Sequence, residues 1–189
     1  MKKKVSIIII CILIFSGFGV GSSFNEKSSL MKSNNIEEYD MVIISPEIFS
    51  SNIKPIINHK MSVGIETFLK TTEEIYNEYE GRDEAEQVKY FIYDSVENLK
   101  IKYVLLIGGN TLLGLKWNVP ARYVQLDDGF GYSEFLSDLY FADIYKDNGE
   151  FEDWDSNGNG IFAEWGFSGD IIDLKPDISV GRLPCRTNR

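Results

Sequence analysis

Positive charge is scarce in this chain. Its 19 lysines and arginines stand against 29 aspartates and glutamates, a net charge of −10, which argues against a nucleic-acid backbone as partner. Histidine is scarcer still, with His59 the single example, and there are two cysteines, Cys11 and Cys185. Cys11 falls inside an N-terminal targeting segment, so loss of that segment leaves Cys185 alone, and a lone cysteine forms no internal disulfide. A cysteine nucleophile needs a base within hydrogen-bond reach, and no motif joins His59 to Cys185. Internal repeats and low-complexity tracts are absent. The hydrophobic fraction of 43% and aromatic fraction of 13% still suffice for one globular domain with a substantial core.

Long apolar runs are also few. Lys2-Lys3-Lys4 precedes an apolar run from Val5 to Phe15, and the small residues Ser16, Gly17, Gly19, Gly21, Ser22 and Ser23 follow. That order is the charged, apolar and small-residue sequence of a secretory signal. The run is short for a membrane span, although Phe18 and Val20 extend it toward an uncleaved anchor. Cys11 lacks the Leu-x-Gly that a lipoprotein signal places before its cysteine. Residues 1–23 are therefore expected to be a signal peptide or N-terminal anchor. Polar residues 24–38 are expected to form a flexible tether, and 39–189 the folded part. The protein is expected to be secreted or at the cell surface, touching a membrane only through residues 1–23 if these are uncleaved.

The folded part opens with Met41-Val42-Ile43-Ile44, a continuous apolar run of the kind buried on both faces of a parallel sheet. Ser45 is placed to cap a helix that Pro46 begins, with Ile48, Phe49, Ile53, Ile56 and Ile57 at helical spacing. A second strand is expected over 63–69, then a short helix to Tyr79. Asp83 and Glu86 resemble a capping box, and Val88, Phe91, Ile92, Val96 and Leu99 line one face of a helix over 84–98. Tyr103-Val104-Leu105-Leu106-Ile107 is the clearest strand. This β-α-β-α-α-β order predicts an α/β fold, a mostly parallel sheet with helices on both faces. Further strands are expected at 120–126, 139–144 and 178–181. Gly108-Gly109-Asn110 lacks the remainder of a phosphate-binding fingerprint and reads as a plain turn.

What is abundant is acid, and it is concentrated. Residues 127–177 carry 14 aspartates and glutamates against Lys146 and Lys175, a local balance of 2 − 14 = −12. At the centre, Asp153-Trp154-Asp155-Ser156-Asn157-Gly158-Asn159-Gly160-Ile161-Phe162-Ala163-Glu164 follows the twelve-residue calcium-loop pattern. Asp153, Asp155 and Asn157 offer side-chain oxygens, Asn159 a backbone carbonyl and Glu164 a bidentate carboxylate, with Gly158 at the sharp turn. Ca2+ is the expected cofactor. The flanks do not read as helices, and Gly160 stands at the eighth position, where an EF-hand loop carries an aliphatic residue. The loop is thus expected between strands.

Taken together, several segments resemble the gingipain-like cysteine peptidases. They are Tyr39-Asp40-Met41-Val42-Ile43-Ile44, the Gly81-Arg82-Asp83 helix start, Tyr103 to Gly109, Val119-Pro120-Ala121-Arg122-Tyr123, Ser137-Asp138-Leu139-Tyr140-Phe141-Ala142-Asp143, the Asp/Asn-Gly loop, and Pro176 to Pro184 with its Val180-Gly181-Arg182. The resemblance spans 39–189. It implies a caspase-like α/β fold, export, bound calcium, protein or peptide substrates, and a substrate-binding neighbourhood for Asp138. It also implies a catalytic His followed by Gly, and a Cys, both beyond the Val-Gly-Arg strand, where neither His59 nor Cys185 matches. The chain is therefore read as the N-terminal part of such a peptidase domain, inactive alone and with no catalytic residue assigned. The rival readings are a non-catalytic exported calcium-binding module and a nucleotide-binding α/β domain.

Overall fold

The computed structural model describes residues 38–187, apart from 112, 113, 115, 128–130, 167 and 168. The expected signal segment, and the tether up to residue 37, lie outside the described residues. Every strand and helix of the described structure lies within residues 35–189.

Strand β1 (Met41–Ser45) is the spine. It pairs in parallel with β2 (Thr67–Thr71) on one side and β3 (Tyr103–Ile107) on the other. Strand β6 (Ser179–Leu183) then adds in parallel to β3, giving the order β2-β1-β3-β6. A parallel neighbour needs a crossover, and helices α1 (Ser50–Ser62), α2 (Thr72–Glu78) and α3 (Glu84–Leu99) supply those among β1, β2 and β3. Side chains alternate across a strand. Ile43 and Ile107 therefore pack with Phe49 and Ile53 on the α1 face, and Val42, Ile44, Val104 and Leu106 join Val88, Phe91 and Ile92 of α3 on the other. The sheet is thus helix-covered on both faces, as the apolar runs predict.

Local chemistry moves several boundaries. The segment expected to start a strand at Val63 instead ends α1, with Val63 as C-cap and Gly64 turning the chain at φ +80°. Ser45 caps nothing: its hydroxyl bonds the Pro46 carbonyl at 3.1 Å, and a short 3-10 turn (Glu47–Phe49) precedes α1. The reciprocal capping box lies at Thr71 and Glu74, opening α2. At α3, Asp83 accepts from the Glu86 N–H at 2.8 Å, but the Glu86 carboxylate turns to the Arg82 N–H at 2.5 Å.

Beyond β3, the expected strand at 139–144 is a 3-10 turn (Asp138–Phe141) that buries Tyr140 and Phe141 beneath α3. Just before it lies an antiparallel pair, β4 (Arg122–Asp127) and β5 (Tyr132–Ser137), outside the main sheet. The sequence pattern does not announce β5, because Phe135 and Leu136 are both exposed and leave no alternation to detect. Gly109 is required by close approach, since a Cβ there meets the Pro184 carbonyl oxygen at 2.8 Å. The glycine pair therefore docks β3 against the end of β6. Among the described residues, no helix is long and apolar enough to cross a membrane.

One side chain ties these parts together. Arg182 of β6 donates to both oxygens of Asp138 at 2.7 and 2.8 Å, and to the carbonyls of Gly108, Val119 and Pro120. Planar guanidinium geometry suits this fan of acceptors, and lysine does not replace it. Removing one partner of such a pair leaves several acceptors unanswered. The Arg182→Ala variant is therefore expected to lose roughly 3–5 kcal/mol in urea denaturation. A loss below about 1 kcal/mol, the range of an exposed pair, would show that the clamp does not hold β6 in place.

Candidate functional site

The acidic loop hangs from the core by two aromatic side chains. Trp154 is buried at 1% exposure, takes the left-handed conformation at φ +68°, and donates its indole N–H to Asp143 Oδ2 at 2.8 Å. Such a conformation is uncommon for a bulky residue and persists only when packing over-determines it. Here the ring stands edge-on to Tyr140 at 5.4 Å. Phe162 closes the other side of the loop, between the guanidiniums of Arg122 at 3.6 Å and Arg82 at 4.4 Å.

Between these anchors the chain curls around Asp155. Its Oδ1 accepts from the Asn159 N–H and its Oδ2 from the Gly160 N–H, each at 3.0 Å. Gly158 and Gly160 sit at φ +71° and +83° with nothing near the position of a Cβ, so backbone conformation and not crowding selects glycine at both. The Asn157 and Asn159 amides reach Glu164 Oε2 at 3.4 and 2.9 Å. Asp170 fastens the two arms, accepting from the Ser156 hydroxyl, the Asn157 N–H and the Glu164 N–H. It lies outside the twelve-residue window, so the loop pattern gives no signal for it.

The five expected ligands are thus split. Asn157, Asn159 and Glu164 form one hydrogen-bonded group, to which Asp155 is linked through the Asn159 and Gly160 N–H groups. Asp153 and Asp155 both face Arg82, through an Nη2–Oδ2 contact of 3.3 Å and a short Nη1–Oδ2 bond respectively. Among the described residues, no group of three or more His, Cys, Asp or Glu side chains is placed to hold a metal. Two of the expected donors are amides and two of the carboxylates already hold a guanidinium. In chemistry the set still fits a hard cation, because every donor is an oxygen and the glycine turns let alternate residues point inward.

Asp138 opens onto a hollow of about 430 Å³ lined also by Leu139, Ala142, Pro176 and Val180, while both its oxygens are held by Arg182. His59 and Cys185 are both exposed, and topology keeps them apart. Cys185 follows β6 at the C-terminal end of a parallel sheet, beside Asn52, Ile53 and Ile56 in the first half of α1. His59 lies in the last turn of that helix, which runs back toward the start of β2. At about 1.5 Å per residue, the seven residues from Asn52 to His59 put it about 10 Å further along the helix.

Beneath the loop lies a buried polar cluster that the sequence does not announce. Lys89 of α3 is fully buried and has its ammonium over the rings of Tyr140, Phe151 and Trp154 at 4.2, 5.3 and 5.7 Å. Among the described residues its Nζ finds no hydrogen-bond acceptor, and Asp143 Oδ1 no donor. Burial pushes Lys89 down to about 7, against the pull of Asp143 and Glu152, and pushes Asp143 up to about 6. At the start of α3, burial raises Asp83, but the Arg122 pair and the Glu86 N–H outweigh it and hold the carboxyl below its ordinary value.

The sequence pattern of Peptidase family C25 matches residues 34–189. Among solved structures, the chain is similar to dimeric latent PorU from Porphyromonas gingivalis, with a TM-score of 0.54 and 15% identity. That match covers 80% of this chain and 14% of the other, so the chain spans a small part of that protein, and at this identity the likeness concerns the fold. No curated protein matches the chain.

The Lys89 environment has a titration consequence. In the folded protein its value lies near 7, against an ordinary 10.5, so between these limits the unfolded chain binds more protons. Wild-type stability therefore rises with pH across about 7 to 10.5, by at most about 1.4 kcal/mol per pH unit. Below pH 7 the penalty of burying the charge is complete. Lys89→Met removes this titration, and the stability of the variant relative to wild type is expected to fall steadily from pH 7 to 10. Urea midpoints measured at each pH check it, and a difference independent of pH would mean that Lys89 titrates as an ordinary lysine.

Proposed function

The chain belongs to Peptidase family C25, the gingipain family, and on that premise we propose that it forms the N-terminal part of a secreted, calcium-binding cysteine endopeptidase domain acting on protein substrates. The observation that carries the reading is the family match over residues 34–189, joined to a parallel sheet whose C-terminal edge gathers the glycine turn, Asp138 and Arg182. Active sites in open α/β sheets lie beyond the carboxyl ends of the strands. In this reading Asp138, on the hollow it lines, forms part of the wall that meets the substrate. Arg182 holds that wall rigid.

The described residues contribute scaffold and wall, and the attacking thiolate with its base comes from elsewhere in the domain. Among the described residues no base stands beside Cys185, and a cysteine nucleophile needs one within hydrogen-bond reach. A mixed peptide library at pH 7, with calcium and reductant, should show no cleavage by the purified chain. Cleavage abolished by both Cys185→Ala and His59→Ala would overturn this assignment.

In the same proposal Asp153, Asp155, Asn157, Asn159 and Glu164 hold Ca2+, which supplies positive charge to the most acidic part of the chain and fixes the loop against the core. Support comes from the all-oxygen donor set, the two left-handed glycines and the local charge. Export is proposed from the segment at residues 1–23 and suits a loop of millimolar affinity. Calcium at 100 times its dissociation constant should add about 2.7 kcal/mol of stability, read as a higher melting midpoint than in chelator. Glu164→Gln should weaken binding more than Asn157→Ala, since it removes a charge. An unchanged midpoint would remove the metal from the proposal.

A further inference from the structure

A positive charge already stands where the loop is expected to take a cation. Arg82, two residues before α3, bonds Asp155 Oδ2 through Nη1 and approaches Asp153 Oδ2 at 3.3 Å through Nη2. Its Nε and Nη2 also hold Glu86 Oε1 at 2.8 and 2.6 Å, and the guanidinium lies over the Phe162 ring. Two of the three carboxylates assigned to calcium, Asp153 and Asp155 but not Glu164, are therefore neutralised by a side chain more than seventy positions away. We propose that Arg82 is the resident counter-cation of the loop, and that its guanidinium and a divalent cation compete for Asp153 and Asp155. This rests on the calcium reading above.

The physical case begins with Asp155, whose side chain is 1% exposed. A bare carboxylate at such a place is costly, and a charge so buried must be paired. Arg82 supplies the pair when no metal is bound. A divalent ion brings twice the charge but needs the oxygen lone pairs that the guanidinium N–H groups now occupy. Arg82 has room to withdraw, because its side chain is 41% exposed. It borders an open hollow of about 810 Å³ lined by Tyr79, Tyr90, Tyr93 and Asp94. Ring faces and a carboxylate there can receive a guanidinium, and Glu86 can remain its anchor. Arg82 thus sets the loop's affinity from outside the loop, holding it folded without metal and weakening its grip on metal.

The test is calorimetric titration with calcium alone, supported by terbium luminescence sensitised through Trp154, on the full chain and on Arg82→Gln and Arg82→Lys. Arg82→Gln should bind calcium on the order of tenfold more tightly, which is about 1.4 kcal/mol. In chelator it should melt below wild type, with the gap closing at saturating calcium. Arg82→Lys keeps the charge but loses the fork, and its affinity should fall between the two. An arginine that serves only the fold predicts weaker or equal binding in both variants, and that result overturns the competition while leaving the calcium site standing. Calcium uptake by neither wild type nor variant overturns both. If Arg82→Gln fails to fold in chelator, Arg82→Lys decides: tighter binding than wild type upholds the competition, and equal or weaker binding ends it.

Discussion

The Phe162 ring lies between two guanidiniums, and each of them grips a carboxylate at the N-terminal end of α3. Arg122, only 4% exposed, pairs with both oxygens of Asp83, and Arg82 pairs with Glu86. The helix start thereby becomes the junction of the α/β sheet, the β4 strand and the acidic loop. Asp83 serves twice, accepting from the Glu86 N–H as helix cap and answering Arg122 from the strand. Each pair buries one partner, Arg122 at 5% and Glu86 at 3% side-chain exposure, so an arrangement that separates a pair leaves a buried charge unanswered. They therefore specify where the loop sits.

Much of the fold was legible because its central strands carry no ambiguity. The runs at β1 and β3 are apolar without interruption, and the stripe on α3 has helical period, so the parallel sheet with two helical layers follows. Legibility ended where burial is one-sided or local. Tyr140, Phe141, Ala142 and Ile144 are all buried, a pattern that a strand and a tight turn satisfy equally. Packing under α3 decided for the turn. In the loop, residue types and spacing announced an oxygen-rich curl. The pattern could not contain Arg82, Asp170 or Lys89, because each comes to the loop through tertiary structure. Spacing rules describe what a segment offers, not what the rest of the chain brings to it.

The same division runs through the functional reading. The family match places the chain in Peptidase family C25, while His59 and Cys185 sit at positions that the parallel topology separates. Arg182 ties the C-terminal edge of the sheet together, with Asp138 held at two points and the Gly108, Val119 and Pro120 carbonyls bound through the same guanidinium. Under the loop, the aromatic box around Lys89 holds a charge that water would hold better. The cluster of Lys89, Asp143 and Glu152 is consequently a set of buried charges, with Lys89 pushed down and Asp143 pushed up by burial.

The order of strands in the sheet also governs how the chain finds its shape. β1, β2 and β3 are joined by short helical crossovers, but β3 meets β6 across 179 − 103 = 76 residues, Tyr103 being paired with Ser179. Long-range parallel pairing is slow because loop closure must precede its reward. Within that intervening stretch lie the β4–β5 pair, the box around Lys89 and the acidic loop with its strained Trp154. Until these have collapsed onto α3, the edge of β3 offers unpaired N–H and C=O groups to any extended segment nearby. The acidic stretch lies in that same interval of chain, so like charge meets like charge wherever two copies approach while the edge is open.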